Sequence, residues 1–298
     1  MMDYVFPYVD SEDPAWREEY GKVFGSMRMD ESRFRSFGTL RYLLRSVAQN
    51  LPFIDRIVMI VSAESQVPDW IDRDRVRVVT HAEFMPEHHR PTFSSSAIES
   101  DMWRIDGLSE KFLYANDDLF QMKLMKEDDF FCGDKPRLTF NESDFHYQNI
   151  YRRSCRNGMD MIADALGVER TEQWTLLKPQ HCTKGILTRH MKEAGRMCSS
   201  RIEPTITKLR HQTNVTGFIY HYYAYYTGEY EPFNAVSKFV VVEDDPASVV
   251  QAIQDGGAHI LCINDSGLLS KDRYQDAGKA IRGEFEKLFP ERCRYELF

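Results

Sequence analysis

Residues Phe112–Phe120, with the sequence FLYANDDLF, place three polar side chains directly after a short apolar run. The run FLYA has the length and aromatic content of a buried strand, which Asn116, Asp117 and Asp118 then end. Adjacent carboxylates at a strand end suit a hard divalent cation, because Mg²⁺ and Mn²⁺ prefer oxygen ligands. Asp117 and Asp118 are therefore candidate metal ligands, and the alternative is a solvated acidic turn.

Further strands and helices are predicted on the N-terminal side of this segment. The strands are Tyr4–Val9 (YVFPYV), Arg56–Ser62 (RIVMIVS) and Val76–Thr80 (VRVVT), and the helices lie near Trp16–Phe24, Gly38–Asn50 and Ser95–Trp103. Such alternation is typical of a parallel sheet with crossover helices. Ligands of these folds bind beyond the carboxyl ends of the strands, where the polar clusters 10–13, 62–65 and 116–118 fall.

The rest of the chain divides into two parts. Residues 141–235 lack strand alternation, and we interpret them as a helical insertion. Residues 236–298 return to strands at Lys238–Val242 and His259–Ile263, followed by a helix at Asp272–Leu288. We therefore predict an α/β fold with a mainly parallel, Rossmann-like sheet, whose core (1–140 and 236–298) is interrupted by the insertion.

A second strand followed by acid occurs at His259–Gly267, HILCINDSG. Asn264 and Asp265 follow the apolar run there. If this strand and FLYA lie in one sheet and point the same way, the two clusters converge and Asp265 joins the metal ligands. An Asx turn leading into Gly267 is the alternative for this segment alone.

Candidate phosphate contacts lie in two segments. In Arg90–Ser100 (RPTFSSSAIES), Ser95 stands at a probable helix start and Glu99 projects from the first turn; simple N-capping is the alternative. Arg35, Arg41 and Arg45 form a basic group, and the last two lie one helical turn apart. The guanidinium group of arginine suits phosphate oxygens. The alternative is that these arginines form a solvated helix face.

Histidine is the usual general base for a hydroxyl at neutral pH. His211 in KLRHQTNV is the candidate, and His181 in KPQHC is equally open to a structural interpretation.

Composition excludes several classes of protein. The formal net charge of −8 argues against nucleic acid as a partner. No apolar run approaches the roughly 18 residues of a membrane span, and Met1–Asp10 lacks the features of a signal peptide. The six cysteines show no zinc spacing, and motifs of P-loop NTPases, α/β-hydrolases and zincins are missing.

Four blocks of the chain, in order, resemble the Stealth family. That family includes bacterial capsular polysaccharide sugar-phosphate polymerases and the catalytic subunit of the animal lysosomal-enzyme GlcNAc-1-phosphotransferase. The blocks are Val5–Pro14 (VFPYVDSEDP), the long stretch Arg33–Phe120, His181 with the downstream Leu209–His211 (LRH), and LCINDSG with LFPERCRYEL.

The resemblance implies roles for individual residues. It places Asn116, Asp117, Asp118, Asn264 and Asp265 at a metal and diphosphate site. It also implies that Asp10 and Asp13 belong to the nucleotide site, that Glu99 and Arg210 belong to the catalytic site, and that His211 is the base.

The resemblance also implies a glycosyltransferase-A-like fold and an activity. The expected enzyme uses Mg²⁺ or Mn²⁺ to transfer a hexose- or N-acetylhexosamine-1-phosphate from a UDP-sugar to a glycan hydroxyl, releasing UMP. Capsular or cell-surface polysaccharide synthesis is the expected process. Residues 1–140 and 236–298 would bind the nucleotide-sugar, and 141–235 the acceptor.

We expect a cytoplasmic protein without a transmembrane segment, with room for peripheral association with a polysaccharide assembly complex and for a homo-oligomer. Two alternatives stay open. One is a metal-dependent glycosyltransferase that releases UDP, and the other is a non-catalytic nucleotide-sugar-binding protein.

Overall fold

The computed structural model describes residues 1–27, 29–144, 149–243 and 246–298 of the chain. Its strands are β1 (Asp3–Pro7), β2 (Arg56–Val61), β3 (Val76–Thr80), β4 (Lys111–Tyr114), β5 (Leu119–Gln121), β6 (Phe131–Cys132), β7 (Lys135–Leu138), β8 (Phe140–Asp144), β9 (Thr175–Pro179), β10 (Lys184–Leu187), β11 (Glu231–Pro232), β12 (Ser237–Val242) and β13 (Ile260–Asp265). Its α-helices are α1 (Pro14–Phe24), α2 (Leu40–Asn50), α3 (His81–Phe84), α4 (Ser95–Asp101), α5 (Ile150–Leu166), α6 (Thr188–Ile202), α7 (Ile219–Thr227), α8 (Ala247–Gln254) and α9 (Lys271–Leu288).

The central sheet has five strands in the order β10-β4-β1-β2-β3. Strands β4, β1, β2 and β3 run parallel, and β10 pairs with β4 in the antiparallel direction. The predicted α/β class with a mainly parallel sheet is therefore confirmed. The carboxyl ends of the four parallel strands meet at one edge of the sheet, where this class of fold binds ligands.

Strand β1 shows how the sheet is buried on both faces. Tyr4 and Phe6 pack with Leu44 of α2 in one buried apolar layer, while Val5 packs with Met159 of α5 in the other. Successive side chains of a strand point to opposite faces, so the apolar run predicted from sequence serves both layers.

A second sheet has the order β12-β13-β5. Strand β13 is parallel to β12 and antiparallel to β5. The two strands followed by acidic residues lie in different sheets, because FLYA forms β4 of the central sheet and HILCI forms β13 of the second, so the condition for convergence within one sheet is not met. The two acidic clusters still approach each other, because β5 begins directly after Asp118 and the backbone N–H of Ile263 donates to the Asp118 carbonyl oxygen at 3.0 Å.

Residues 141–235 contain helices α5, α6 and α7, as expected for a helical insertion. They also contain strands, which the sequence pattern missed. Strand β9 pairs with β8, and β10 joins the central sheet. The four residues of β10 are too few to show a period of two. The division into a core and an acceptor subdomain stays a prediction.

Among the described residues, no helix combines the length and the apolar character that crossing a membrane requires.

Candidate functional site

The turn between β4 and β5 carries Asn116, Asp117 and Asp118 at the carboxyl edge of the central sheet. The N–H of Ala115 donates to the carbonyl oxygen of Val5 at 3.0 Å, and the N–H of Leu119 donates to that of Asn116 at 3.2 Å. The backbone on both sides of the acids is therefore held in place, which fixes the direction of their side chains.

Asp118 contacts residues from two distant parts of the chain. The Sγ atom of Cys262 donates to Oδ2 at 3.3 Å, and Nε2 of His181 lies 3.8 Å from the same oxygen. The other carboxylate oxygen, Oδ1, is buried and has no hydrogen-bond partner within the described ranges. An unpaired buried carboxylate oxygen is unfavourable, so this atom marks a position for a ligand.

The two adjacent carboxyl groups differ in acidity. Burial and the charge of Asp118 raise the pKa of Asp117 to about 7. Burial pushes the pKa of Asp118 upward, but interactions with His181 and the hydrogen bond from Cys262 outweigh it, so that this pKa lies below its usual value. A nearby cation would favour the charged form of both groups.

The residues around Asp118 fit a hard divalent cation. Asp118, His181 and Cys262 each offer a donor atom within 4.8 Å of the others. Burial and then the charge of Asp118 raise the pKa of the Cys262 thiol far above its usual range, so the thiol stays protonated and acts as a hydrogen-bond donor. The carboxylates of Asp117 and Asp118 are then the oxygen donors at this position, and oxygen is the ligand type that Mg²⁺ and Mn²⁺ prefer.

Asp265 is engaged by Arg35, and its expected role as a metal ligand stays a prediction. Nε of Arg35 donates to its Oδ2, Nη2 of Arg35 donates to Oδ1 at 3.0 Å, and the N–H of Gly267 donates to Oδ1 at 2.9 Å. Arg35 also lies over the ring of Tyr274, 4.3 Å from its centre. Asn264, its neighbour, donates to the Asp265 carbonyl oxygen at 3.2 Å. The charge of Asp265 is balanced by Arg35, and this pair joins two segments at the site.

Arg41 and Arg45 lie on one face of α2, as predicted, but this face meets the C-terminal segment. Arg45 donates to Oε1 of Glu296 at 2.8 Å and to the carbonyl oxygen of Phe289 at 2.9 Å. Arg41 donates to Oε2 of Glu296 at 2.7 Å and lies over the ring of Trp70. Both guanidinium groups therefore pair with one buried carboxylate, and their expected contact with a diphosphate stays a prediction.

Glu99 is buried on α4 and faces β4. Tyr114 donates to its Oε1 at 2.8 Å. Burial raises the pKa of Glu99, although the Tyr114 hydrogen bond and the charges of Arg210 and Lys184 act in the opposite direction. A Cβ atom at Gly217 would lie 2.1 Å from that of Glu99, so the close approach of this loop requires glycine.

Lys184 on β10 places a positive charge near Glu99 of α4 and Asp118 after β4. Its ammonium group donates to the carbonyl oxygen of Cys182 at 2.9 Å and lies 4.3 Å from the ring centre of Phe218. Burial lowers the pKa of Lys184, whereas Cys182, Glu99 and Asp118 oppose that shift through their charges. Lys184 therefore links the acid of α4 electrostatically to the acid after β4.

Ser95, the candidate at the start of α4, contacts Arg210, to which the family resemblance gives a catalytic role. The Ser95 hydroxyl accepts hydrogen bonds from Nε and Nη2 of Arg210 at 3.1 and 2.6 Å. The next residue, His211, is exposed; its Nδ1 lies 2.8 Å from the Thr213 hydroxyl, and its backbone N–H donates to Oδ1 of Asn214 at 2.7 Å. Contact between His211 and a substrate held by the two aspartates stays a prediction.

The loop after β1 is shaped by Gln66. The N–H of Asp10 donates to Oε1 of Gln66 at 2.6 Å, and Nε2 of Gln66 donates to Oδ2 of Asp13 at 2.7 Å. Asp13 also accepts from Ser65 and, as the cap of α1, from the N–H of Ala15. Burial pushes the pKa of Asp13 upward, but these hydrogen bonds hold it below its usual range. Asp13 therefore shapes the loop, and Asp10 stays half-exposed at the edge of the sheet.

Sequence reasoning missed three residues of this site, which are Tyr114, Lys184 and Cys262, and it left the role of His181 undecided. Tyr114 and Cys262 lie inside runs that read as apolar core, so their polar atoms gave no separate signal. Lys184 could have been found from its position directly before the apolar run GIL, because a charged residue is rare at the buried start of a strand.

Comparison with known proteins agrees with the resemblance. The profile described as Stealth protein CR2, conserved region 2, matches residues 33–138. The exopolysaccharide phosphotransferase of Nocardia farcinica is 28% identical over 95% of this chain and 59% of its own length. The capsular polysaccharide phosphotransferase SacB of Neisseria meningitidis serogroup A is 32% identical over 76% of this chain and 43% of its own length. WcwK of Streptococcus pneumoniae, also named a capsular polysaccharide phosphotransferase, is 24% identical over 99% of this chain and 98% of its own.

Residues 33–138 of the chain are thus similar to conserved region 2 of the Stealth proteins, in the same stretch that carries the resemblance in the sequence. It spans about half the length of the Nocardia and Neisseria relatives. Among solved structures, the galactosyltransferase LgtC in complex with donor and acceptor sugar analogues aligns over 96% of both chains, with 10% identity and a TM-score of 0.44.

Proposed function

We propose that the protein transfers a sugar-1-phosphate, a hexose- or N-acetylhexosamine-1-phosphate, from a UDP-sugar to a glycan hydroxyl in polysaccharide synthesis. The supporting observation is the unbalanced pair of carboxylates after β4, in a chain whose relatives are named polysaccharide phosphotransferases. The acceptor oxygen forms a bond to the β-phosphorus. The bond from that phosphorus to the oxygen bridging it to the α-phosphate breaks, and UMP leaves.

The protein's own groups position the donor and move one proton. Asp117 and Asp118 would hold Mg²⁺ or Mn²⁺, which neutralises diphosphate charge when bound. Lys184 and Arg210 add fixed positive charge on the Glu99 side of the site. His211 accepts the hydroxyl proton through Nε2, since Nδ1 is engaged by Thr213.

The acceptor glycan is proposed to bind beside His211. An open, polar depression of about 660 Å³ is lined by the two residues that follow it, Gln212 and Thr213, together with Asn157 and Asp160 of α5. Side-chain amides and carboxylates of this kind bind sugar hydroxyls by hydrogen bonds. This position agrees with the prediction that residues 141–235 form the acceptor side.

A labelled donor tests the reaction directly. The protein is incubated with UDP-sugar carrying ³²P at the β-phosphorus, Mg²⁺ or Mn²⁺ and a panel of glycan acceptors, with an Asp118→Asn variant as the inactive control. Label in the glycan together with unlabelled UMP supports the proposal. Release of labelled UDP would instead identify a glycosyltransferase, which attacks the anomeric carbon.

The same assay separates an enzyme from a non-catalytic binding protein. The second alternative predicts tight binding of UDP-sugar with neither UMP nor UDP released under any acceptor. Mass spectrometry of the product then identifies the transferred sugar, and repeating it with several nucleotide-sugars identifies the donor.

A further inference from the structure

A pair of histidines outside the proposed active site faces a carboxylate from a distant turn. His88 and His89 belong to the short 3-10 turn Glu87–His89, and Glu203 opens the turn Glu203–Thr205 after α6. Nε2 of His88 contacts Oε1 of Glu203, and Nε2 of His89 lies 3.2 Å from the same oxygen. The three donor atoms lie within 4.8 Å of one another.

Asp101 fixes the orientation of the buried member of this pair. The Nδ1 atom of His89 lies 2.6 Å from Oδ2 of Asp101, and Arg104 donates to the other oxygen of that carboxylate at 3.1 Å. A carboxylate accepts hydrogen bonds, so Nδ1 carries the proton and donates it to Asp101. Nε2 of His89 is then the ring nitrogen with the lone pair.

This lone pair is unsatisfied. The side chain of His89 is only 4% exposed, and within the described residues its Nε2 makes no hydrogen bond despite the nearby Glu203 oxygen. Two electron-rich atoms 3.2 Å apart repel each other unless a cation or a proton lies between them. A histidine whose other nitrogen donates to a carboxylate is the arrangement seen at metal sites.

We propose that His88, His89 and Glu203 form a second metal site, which takes a borderline ion such as Zn²⁺. Two imidazole nitrogens and one carboxylate oxygen suit Zn²⁺ better than Mg²⁺, and water completes the coordination. The exposed side chain of His88 adjusts to the ion, while His89 and Asp101 form its fixed side.

The ion would join two segments that lead into the proposed active site. Beyond Arg90, the N–H of Phe93 donates to the carbonyl oxygen of Lys208 at 2.8 Å, and two residues further along each segment Ser95 meets Arg210. Fastening His88 and His89 to Glu203 fixes the start of both segments. The site is therefore a structural one that positions neighbouring loops, and its binding of metal is independent of the proposed reaction.

Zinc titration of the full chain tests the proposal. After chelator treatment, Zn²⁺ binding is followed by calorimetry and by the Tm, in the native protein and in His88→Ala and Glu203→Gln variants. Both replaced side chains are exposed, so these variants should fold. Each should lose one equivalent of bound Zn²⁺ and the associated rise in Tm, while Glu87→Gln, beside the cluster but outside it, should behave as the native protein does.

Two further measurements distinguish metal at this site from metal bound to cysteine elsewhere, and from a proton between His89 and Glu203. Co²⁺ bound here should lack the intense near-ultraviolet band of a thiolate ligand, and Asp101→Asn should weaken binding by about 10- to 100-fold. Unchanged Zn²⁺ binding in both His88→Ala and Glu203→Gln would overturn the proposal. So would a native protein that binds no Zn²⁺ outside the Asp118 site, in which case a protonated His89 occupies the position.

Discussion

Two Asn-Asp sequences follow strands in this molecule, and they differ in how their charge is balanced. Asp265 receives the two-pronged Arg35 guanidinium and a backbone N–H. Asp118 receives the Cys262 thiol and the weakly placed His181, and one of its buried oxygens has no partner among the described residues. Similar local sequences therefore give one structural ion pair and one group of acids suited to a ligand.

The comparison teaches that the surroundings, more than the acidic residues themselves, identify a binding site. A carboxylate whose hydrogen bonds are all made contributes to the stability of the fold. A buried carboxylate that lacks them is unfavourable until a cation binds to it. The same replacement of Asp by Asn should then have opposite consequences in the two clusters.

The largest effect is expected for Asp118→Asn. Loss of this carboxylate should lower kcat by on the order of 10²- to 10³-fold, because charge stabilisation of the diphosphate is lost. Steady-state rates with UDP-sugar and Mg²⁺ measure this, with circular dichroism as a check that the fold is retained. Native turnover in a folded Asp118→Asn protein would remove these acids from the proposed mechanism.

Asp265→Asn should act mainly on stability. The Arg35 and Asp265 side chains are 13% and 5% exposed, so breaking their pair leaves a largely buried guanidinium unbalanced. The free energy of unfolding should fall by about 3 kcal/mol, measured by urea denaturation. In the double variant Arg35→Met/Asp265→Leu the loss should be smaller than in Asp265→Asn; a larger loss would argue against this account.

In metal-free buffer, Asp117→Asn should raise the free energy of unfolding, whereas Asp265→Asn lowers it. The pKa of Asp117 is raised from 3.8 to about 7, so the folded state holds this proton more tightly than the unfolded state does. The native protein should therefore lose stability as pH rises from about 4 to 7. The variant cannot titrate here, and at pH 8 it should be more stable by about 2 kcal/mol, allowing for partial exposure.

The advantage of Asp117→Asn should vanish below about pH 3, where the carboxyl group of the native protein is protonated in both the folded and the unfolded state. Thermal unfolding of both proteins across this pH range, with chelator present, measures the difference. A variant that is less stable than the native protein at pH 8 would show that Asp117 is satisfied in the way Asp265 is.

The smallest effect is expected at Cys262, which connects the two clusters through β13. The thiol of Cys262 donates a hydrogen bond to Asp118. Cys198, which is buried in the helical layer, serves as the control. Cys262→Ala should therefore destabilise the protein by about 1 kcal/mol more than Cys198→Ala does. Denaturant unfolding of both variants gives the comparison. Equal losses would mean that the hydrogen bond to Asp118 contributes nothing to stability.

Sequence predicted the parallel sheet well, because the strands at 56–61 and 76–80 are continuous apolar runs bounded by polar turns. It also placed helices α1, α2 and α9 within two residues of their observed bounds. It missed β10, whose four residues carry no periodic signal, and it left open whether β13 joins the central sheet, because pairing partners cannot be read from a single strand.

The site was predicted less completely than the fold. The acids after β4 were found because they are adjacent in sequence, Ser95 because it stands at a helix start, and Arg210 through the family resemblance. Arg41 and Arg45 were placed on a diphosphate, since nothing local reveals that Glu296 lies opposite them. Whether an arginine binds a ligand or another part of the chain depends on contacts over long sequence separations, which a local pattern does not contain.

The pairing of β5 with β13 has a consequence for the order in which the molecule is made. Arg35 and Asp265 are 230 positions apart, and Asp118 and Cys262 are 144 positions apart. A ribosome releases the N-terminal half of the sheet long before β13 emerges, so the nascent chain carries its acidic turn and Arg35 without their partners. The proposed site is therefore completed late in translation, after the segment around residue 265 has left the exit tunnel and docked.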